Sequence, residues 1–231
     1  MKYIIFDFDG TIGDSQSLIV KTLQDTMRKR NLEVKSDEAC AATIGLRLDE
    51  AFVQLFDMSA EEGMACADTY RDIFEENKQH FIVHPFPHVL ETIHALHRLG
   101  YMLAIASSRG SDTLYGYVEQ MQIQDCISSI VAGDHVEHVK PAPDMVFKAL
   151  EEMGRKKRQE SVSGKSISDE IIKEMLAETL VVGDMTYDVD MAHNAGAQAC
   201  AVTYGNGTRE ELANAEYVID DFAELEKIVK G

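Results

Sequence analysis

What this chain lacks narrows its function first. No segment of its 231 residues approaches the roughly 20 consecutive apolar positions of a membrane-spanning helix, so no membrane partner is expected. Positive charge is scarce. Against 40 Asp and Glu there are 22 Lys and Arg, a formal charge of −18 that repels a nucleic-acid backbone at long range and removes nucleic acid from the expected partners. An anionic small molecule survives that argument, because a bound metal or a local cation dominates inside a site. Cysteine is sparse too: Cys40, Cys66, Cys126 and Cys200 lack metal-type spacing, which predicts small buried hydrophobes and argues against a disulfide framework or a zinc site. The eight histidines show no metal spacing either. The first residues carry only Lys2 before a strand pattern, without the apolar region and cleavage site of a signal peptide, so the expected location is cytoplasmic.

With 45% apolar residues, the chain has enough to bury a full core. Short β-rich runs recur at Tyr3 to Phe6, Met102 to Ala106, Ile130 to Ala132, Leu180 to Val182, Ala199 to Val202 and Tyr217 to Ile219. Helical patterns lie between them, such as Leu90, Ile93, Leu96 and Leu99 before Gly100. Thr208 with Glu211 and Asp221 with Glu224 read as start signals of later helices. This alternation predicts an α/β fold with a Rossmann-like, mostly parallel sheet covered on both faces. From about Ser15 to His84 the strands stop. Ile19, Leu23 and Met27 recur every four residues, Leu48 to Phe56 is helical, and Ser59 with Glu62 opens a stretch reaching Phe81. The expected organisation is a core of residues 1–14 and 85–231 with a small all-helical cap, 15–84, inserted after the first strand. A second interruption, Arg155 to Glu178, begins with a basic, Ser/Gly-rich stretch expected to be a flexible surface loop and ends in a short helix after Ser168. Whether it holds a protein partner is left open.

The first strand ends in two carboxylates, Asp7 and Asp9, with only Phe8 between them. Side chains at i and i+2 of a strand share a face, so these like charges crowd one volume and need compensation. Asp9-Gly10 also suits a hairpin, but a helical stripe follows and no second strand does. Other strand ends carry polar groups as well: Ser107, Ser108 and Arg109 after the second, Gly133 and Asp134 and then Lys140 after the third, Asp184, Asp188 and Asp190 after the fourth. In a parallel sheet these ends lie along one edge. Such a set suits a hard, oxygen-binding cation such as Mg2+, with Lys140 neutralising an anionic group that the aspartates repel. Taken singly, each residue has a plainer reading as a cap, a loop lysine or a helix start.

Four stretches in order, Asp7-Phe8-Asp9-Gly10-Thr11, Ser107, Lys140-Pro141-Ala142-Pro143-Asp144 and Gly183-Asp184 with Asp188, resemble the motifs of the haloacid dehalogenase superfamily. The helical interval resembles the cap of its phosphoglycolate phosphatase and β-phosphoglucomutase-like branch, and Gly205 to Leu212 is similar to a segment of the former. The resemblance implies Asp7 as nucleophile, Asp9 as the proton donor and acceptor, and Ser107 and Lys140 as holders of the phosphoryl oxygens. It implies Mg2+ on Asp7, the Asp9 backbone carbonyl and Asp184, supported by Asp188. It also assigns Thr11, Ser107, Ser108, Lys140, Arg47 and Arg109 to the substrate, a small phosphorylated metabolite, although Arg47 and Arg109 read equally well as exposed arginines. Gly13, where a larger apolar residue is usual, and Pro87-His88, in place of a common Pro-Gly, depart from the pattern.

The expected function is a magnesium-dependent phosphatase that works through an aspartyl-phosphate. A cationic Arg47 would favour a second anionic group, as in 2-phosphoglycolate or pyrophosphate. A β-phosphoglucomutase-like phosphomutase or a pyrophosphatase uses the same core residues. A regulatory binding protein is the non-enzyme alternative, disfavoured because it gains nothing from crowded carboxylates.

Overall fold

In the computed structural model, residues 1–157 and 168–230 are described. The chain opens with β1 (Tyr3–Phe6), a short β2 (Gly13–Asp14) and four helices: α1 (Gln16–Lys29), α2 (Asp37–Ala41), α3 (Leu48–Phe56) and α4 (Ala60–Asn77). After β3 (His84–Pro85) come α5 (Val89–Arg98), β4 (Met102–Ala106), α6 (Ser111–Gln120), β5 (Ile127–Val131) and α7 (Asp144–Lys157). The chain closes with α8 (Asp169–Leu176), β6 (Thr179–Gly183), α9 (Thr186–Ala195), β7 (Gln198–Val202), β8 (Tyr217–Ile219) and α10 (Leu225–Lys230).

Six strands form one sheet in the order β5-β4-β1-β6-β7-β8, every neighbouring pair parallel. Period-2 alternation divides its side chains between two apolar layers. Ile4, Phe6, Leu103, Ile105 and Val182 pack on one face, and Tyr3, Ile5, Ala104, Ala106 and Val181 on the other. All four residues of β1 are buried, as a central parallel strand requires. After β1 the chain crosses to β4 on one side, and it later returns through β6 on the other. The carboxyl ends of β1, β4 and β6 therefore meet at the point where the strand order reverses, where open α/β sheets bind their ligands.

Helices α1 to α4 follow the sequence pattern closely. Leu23 and Met27 are buried, while Ile19 is half-buried beside a cavity. Ser59 and Glu62 form the reciprocal capping box that starts α4, with Ser59 Oγ accepting from Glu62 N at 3.3 Å. The two links between these helices and the sheet pair with each other as an antiparallel ribbon, Gly13 against Pro85 and Asp14 against His84.

Three local readings change in the structure. The third strand runs from Ile127 to Val131 and not from Ile130 to Ala132; inward-facing Ser129 bonds Glu152 of α7, which lets a polar residue occupy a strand core. Thr208 and Glu211 bond reciprocally as a cap, yet only a tight turn follows before β8. Of the 155–178 interruption, Arg155 to Lys157 continue α7 in place of the start of the expected loop, with Arg155 paired to Glu151 at 2.5 Å one turn back. Helix α8 confirms the helix after Ser168, and the rest of the expected loop, 158–167 with Arg158 of the basic cluster, lies outside the described residues. All four cysteines are free and buried, as expected, and burial pushes the Cys200 thiol up to about 12.

Both departures from the family pattern have a physical reason. His88 starts α5 with φ of 63°, a left-handed conformation that glycine adopts without steric cost, and its ring sits 2.8 Å from Asp221. At Gly13, a Cβ would meet the Phe8 ring and Val83 at 3.0 Å, because Phe8 fills the space that a larger residue would take. Gly13→Val is expected to destabilise the protein by about 1–3 kcal/mol through overpacking. Urea denaturation should show a lower midpoint with an unchanged slope.

Candidate active site

Asp7 directly follows β1, and its amide donates to Val182 O at 2.8 Å, so the carboxylate is fixed between the ends of β1 and β6. Asp7, Asp184 and Asp188 are buried, and each offers a carboxylate oxygen within 4.8 Å of the others. Lys140, also buried, is set among them. Its ammonium pairs with Asp7 Oδ1 and lies 2.7 Å from Asp188 Oδ1. Burial works against that ammonium, but Asp188 and Asp7 outweigh it and hold it protonated. One cation does not balance three carboxylates. Burial, then Asp188, raises the Asp184 carboxyl to about 7, and burial keeps that of Asp7 well above the usual range despite Lys140.

Asp184 is the most elaborately held of the three. Its Oδ2 accepts from the amide and the side chain of Asn206, both at 2.7 Å, and its Oδ1 accepts from Thr11 Oγ1 at 3.2 Å. Gly10, at φ +85°, passes so close that a Cβ would fall 2.1 Å from Asp184 Oδ2. Asp188 Oδ2 accepts from the amide of Met185 at 3.1 Å, which fixes it in the first turn of α9. Three buried carboxylates with one counter-charge make a hard-oxygen donor set of surplus negative charge, and that set fits a divalent cation.

Asp9 occupies a separate niche. Ser15 Oγ donates to its Oδ1 at 2.5 Å, and Arg109 donates from Nη2 to Oδ1 at 2.6 Å and from Nε to Oδ2 at 3.1 Å. The Arg109 guanidinium lies over the rings of Tyr117 and Phe74, at 5.1 and 5.3 Å from their centroids, and its side chain is only 8% exposed. Burial opposes its charge, but Asp9 outweighs burial and raises its pKa. Asp7, Asp9 and Ser107 open onto a cavity of about 940 Å3 between the sheet edge and helices α1, α3 and α4.

The structure thus brings Asp7, Lys140, Asp184 and Asp188 into one cluster and Asp9 and Ser107 beside the same cavity. The remaining sequence-assigned residues already have protein partners, although Ser108, Arg109 and Arg47 also line the cavity. Thr11 faces Asp184; Ser108 Oγ donates to Gly45 O of the helical segment at 2.6 Å; Arg109 grips Asp9. Arg47 lines the cavity but is bound by Asp49 through two contacts of 2.6 and 2.7 Å. Asp190 is exposed, and Asp134 accepts from Ser111 at the start of α6. Sequence reasoning missed Asn206 and Ser15 as partners of Asp184 and Asp9. The only signal was the Gly205-Asn206-Gly207 run, whose glycines admit the backbone close to Asp184.

A family model described as haloacid dehalogenase-like hydrolase matches residues 4–202. Among curated proteins, "Probable phosphatase IndB" of Dickeya dadantii is 31% identical across 96% of this chain and 90% of its own length. A phosphoglycolate phosphatase of Vibrio cholerae is 28% identical across 99% and 97%, and pyrophosphatase PpaX of Halalkalibacterium halodurans is 28% identical across 98% and 95%. Among solved structures, a predicted phosphatase from Clostridium acetobutylicum superposes with a TM-score of 0.81 at 24% identity, covering 100% of this chain and 99% of that one, which shows a shared fold.

Two outcomes follow from the acidic cluster. A raised Asp184 pKa means that the metal-free folded protein binds an extra proton, so this group's contribution to stability is lost as pH rises from the ordinary carboxylate range through about 7. A divalent cation needs the ionised form, so the increase in Tm on adding it should be larger at pH 8 than at pH 5.5. Asn206→Ala should weaken cation affinity about 10- to 100-fold, measured by calorimetric titration, because an outer partner of the ligand is lost.

Proposed function

Because the chain belongs to the haloacid dehalogenase-like hydrolase family, we propose that it is a magnesium-dependent phosphatase that hydrolyses small organic phosphate monoesters through an aspartyl-phosphate on Asp7. The observation that carries this reading is the Asp7 carboxylate, held at the β1 terminus by Lys140 and opening onto the cavity beside Asp9. The names of the phosphatase and pyrophosphatase relatives support it.

In this reading, residues 15–84 are the cap and residues 1–14 with 85–231 the catalytic core. Asp7, Asp184 and the Asp9 backbone carbonyl would hold Mg2+, with Asp188 in support; when bound, the ion neutralises phosphoryl oxygens so that an anion can approach Asp7. Lys140 and Ser107 bind the transferring phosphoryl group, and Lys140 also keeps Asp7 and Asp188 apart in charge. Asp7 attacks phosphorus, the ester oxygen leaves, and Asp9 supplies its proton. Asp9 then takes a proton from the water that hydrolyses the aspartyl-phosphate. Its Oδ1 accepts from both Ser15 and Arg109 and its Oδ2 from Arg109 alone, which leaves a lone pair of Oδ2 to carry the transferred proton.

Asp7→Asn should abolish magnesium-dependent phosphate release from an aryl phosphate, since it removes the nucleophile and a ligand charge. Activity near the wild-type level in that variant, contamination excluded, would sink the assignment. Asp9→Asn should still form some phospho-enzyme from an activated ester and hydrolyse it slowly. Acid quenching with a radiolabelled ester measures this, and rapid turnover with no trapped intermediate speaks against Asp9 as the proton carrier.

A further inference from the structure

The cavity in front of Asp7 has walls of unlike character. On the helical side, half-buried Ile19, Leu46 and Leu48 and exposed Met64 (53%) present an apolar surface, backed by the nearly buried rings of Tyr70 and Phe74. Among the described residues, three cations line the cavity, and each already has a carboxylate partner: Arg109 with Asp9, Arg47 with Asp49, and Arg71 with Asp68 at 2.5 Å. Asp7, Glu75, Asp112 and Asp134 add negative charge to the same lining, which among the described residues holds no lysine. Of these, Asp7 and Glu75 have partners outside the lining, Lys140 and, at 2.6 Å, Lys78.

Two physical consequences follow. A second anionic group on a substrate would enter a lining in which each guanidinium already faces a carboxylate, so it would meet cations whose charge is largely balanced. An apolar group would instead remove the exposed wall from water, at roughly 25 cal/mol per Å2 buried. Size points the same way. About 940 Å3 is at the upper end of small-molecule sites, and an anion of a few atoms would leave most of it to water.

We propose that the substrates of this enzyme are phosphate monoesters whose leaving group is uncharged and carries a bulky apolar body, such as an aromatic ring, seated against Leu46, Leu48 and Met64. This rests on the phosphatase reading of Asp7, and it gives Arg47 the task of balancing Asp49 in place of holding a substrate anion.

The test compares kcat/KM for magnesium-dependent phosphate release from benzyl phosphate, 2-phosphoglycolate and pyrophosphate. The first two are alkyl esters, so the comparison avoids an activated aryl leaving group. Benzyl phosphate should exceed both anions at least tenfold. Met64→Asp should lower the ratio of benzyl phosphate to 2-phosphoglycolate activity at least fivefold, mainly through KM for the benzyl ester. Asp49→Asn, which frees Arg47, should lower the same ratio by raising activity on 2-phosphoglycolate. Equal rates across the panel, or preference for either anion, overturn the inference and leave the phosphatase intact. Release from none of the three, by folded protein that binds magnesium, overturns the phosphatase reading and this inference with it.

Discussion

The buried ammonium of Lys140 among Asp7, Asp184 and Asp188 is the interaction around which the molecule is organised. Removing three carboxylates from water is tolerable only with counter-charge and hydrogen bonds within reach. The sheet supplies that reach, because the ends of β1 and β6 are neighbours and α9 returns Asp188 to the same spot. Charge balance remains incomplete without a further cation. The core therefore folds into a site that is electrostatically unfinished, and the missing charge is what the proposed chemistry needs.

Asp9 illustrates a different solution to the same problem. It follows Asp7 by two residues, yet it is neutralised by another part of the chain, the Arg109 guanidinium stacked on aromatic rings. The opening DFD is thus tolerated because its carboxylates are divided between two cations, Lys140 for one and Arg109 for the other. One of those aromatic rings, Phe74, belongs to α4, so the helical segment takes part in the environment of the proposed proton carrier.

Much of this was legible in the sequence for identifiable reasons. Buried parallel strands are continuous apolar runs, so β1 and β4 could be bounded to the residue, as could the short edge strand β8, and the carboxylates after β1 and β6 stood out against that background. Edge strand β5 was less legible because two serines interrupt it and one of them is satisfied only by Glu152, distant in sequence. The reciprocal bonds of Thr208 and Glu211 were readable, but the absence of a helix after them depends on how soon β8 must pair with β7. The engagements of Arg47 and Arg109 could not be read at all. Whether an arginine meets a substrate or a neighbouring carboxylate depends on side-chain geometry, and Asp49 lies only two residues from Arg47.

The Asp184 carboxylate is fastened to Asn206, which sits in the connection between β7 and the three-residue edge strand β8. Gly207 N on Asp184 O and Tyr204 OH on Thr11 O tie the same connection to the floor of the site. Sheet margins open locally at lower free energy than the centre. The carboxyl-terminal margin is therefore this protein's fuse: opening there would slacken the grip on Asp184 while β1, β4 and β6 are still intact, so the proposed cation site would be surrendered before the fold is.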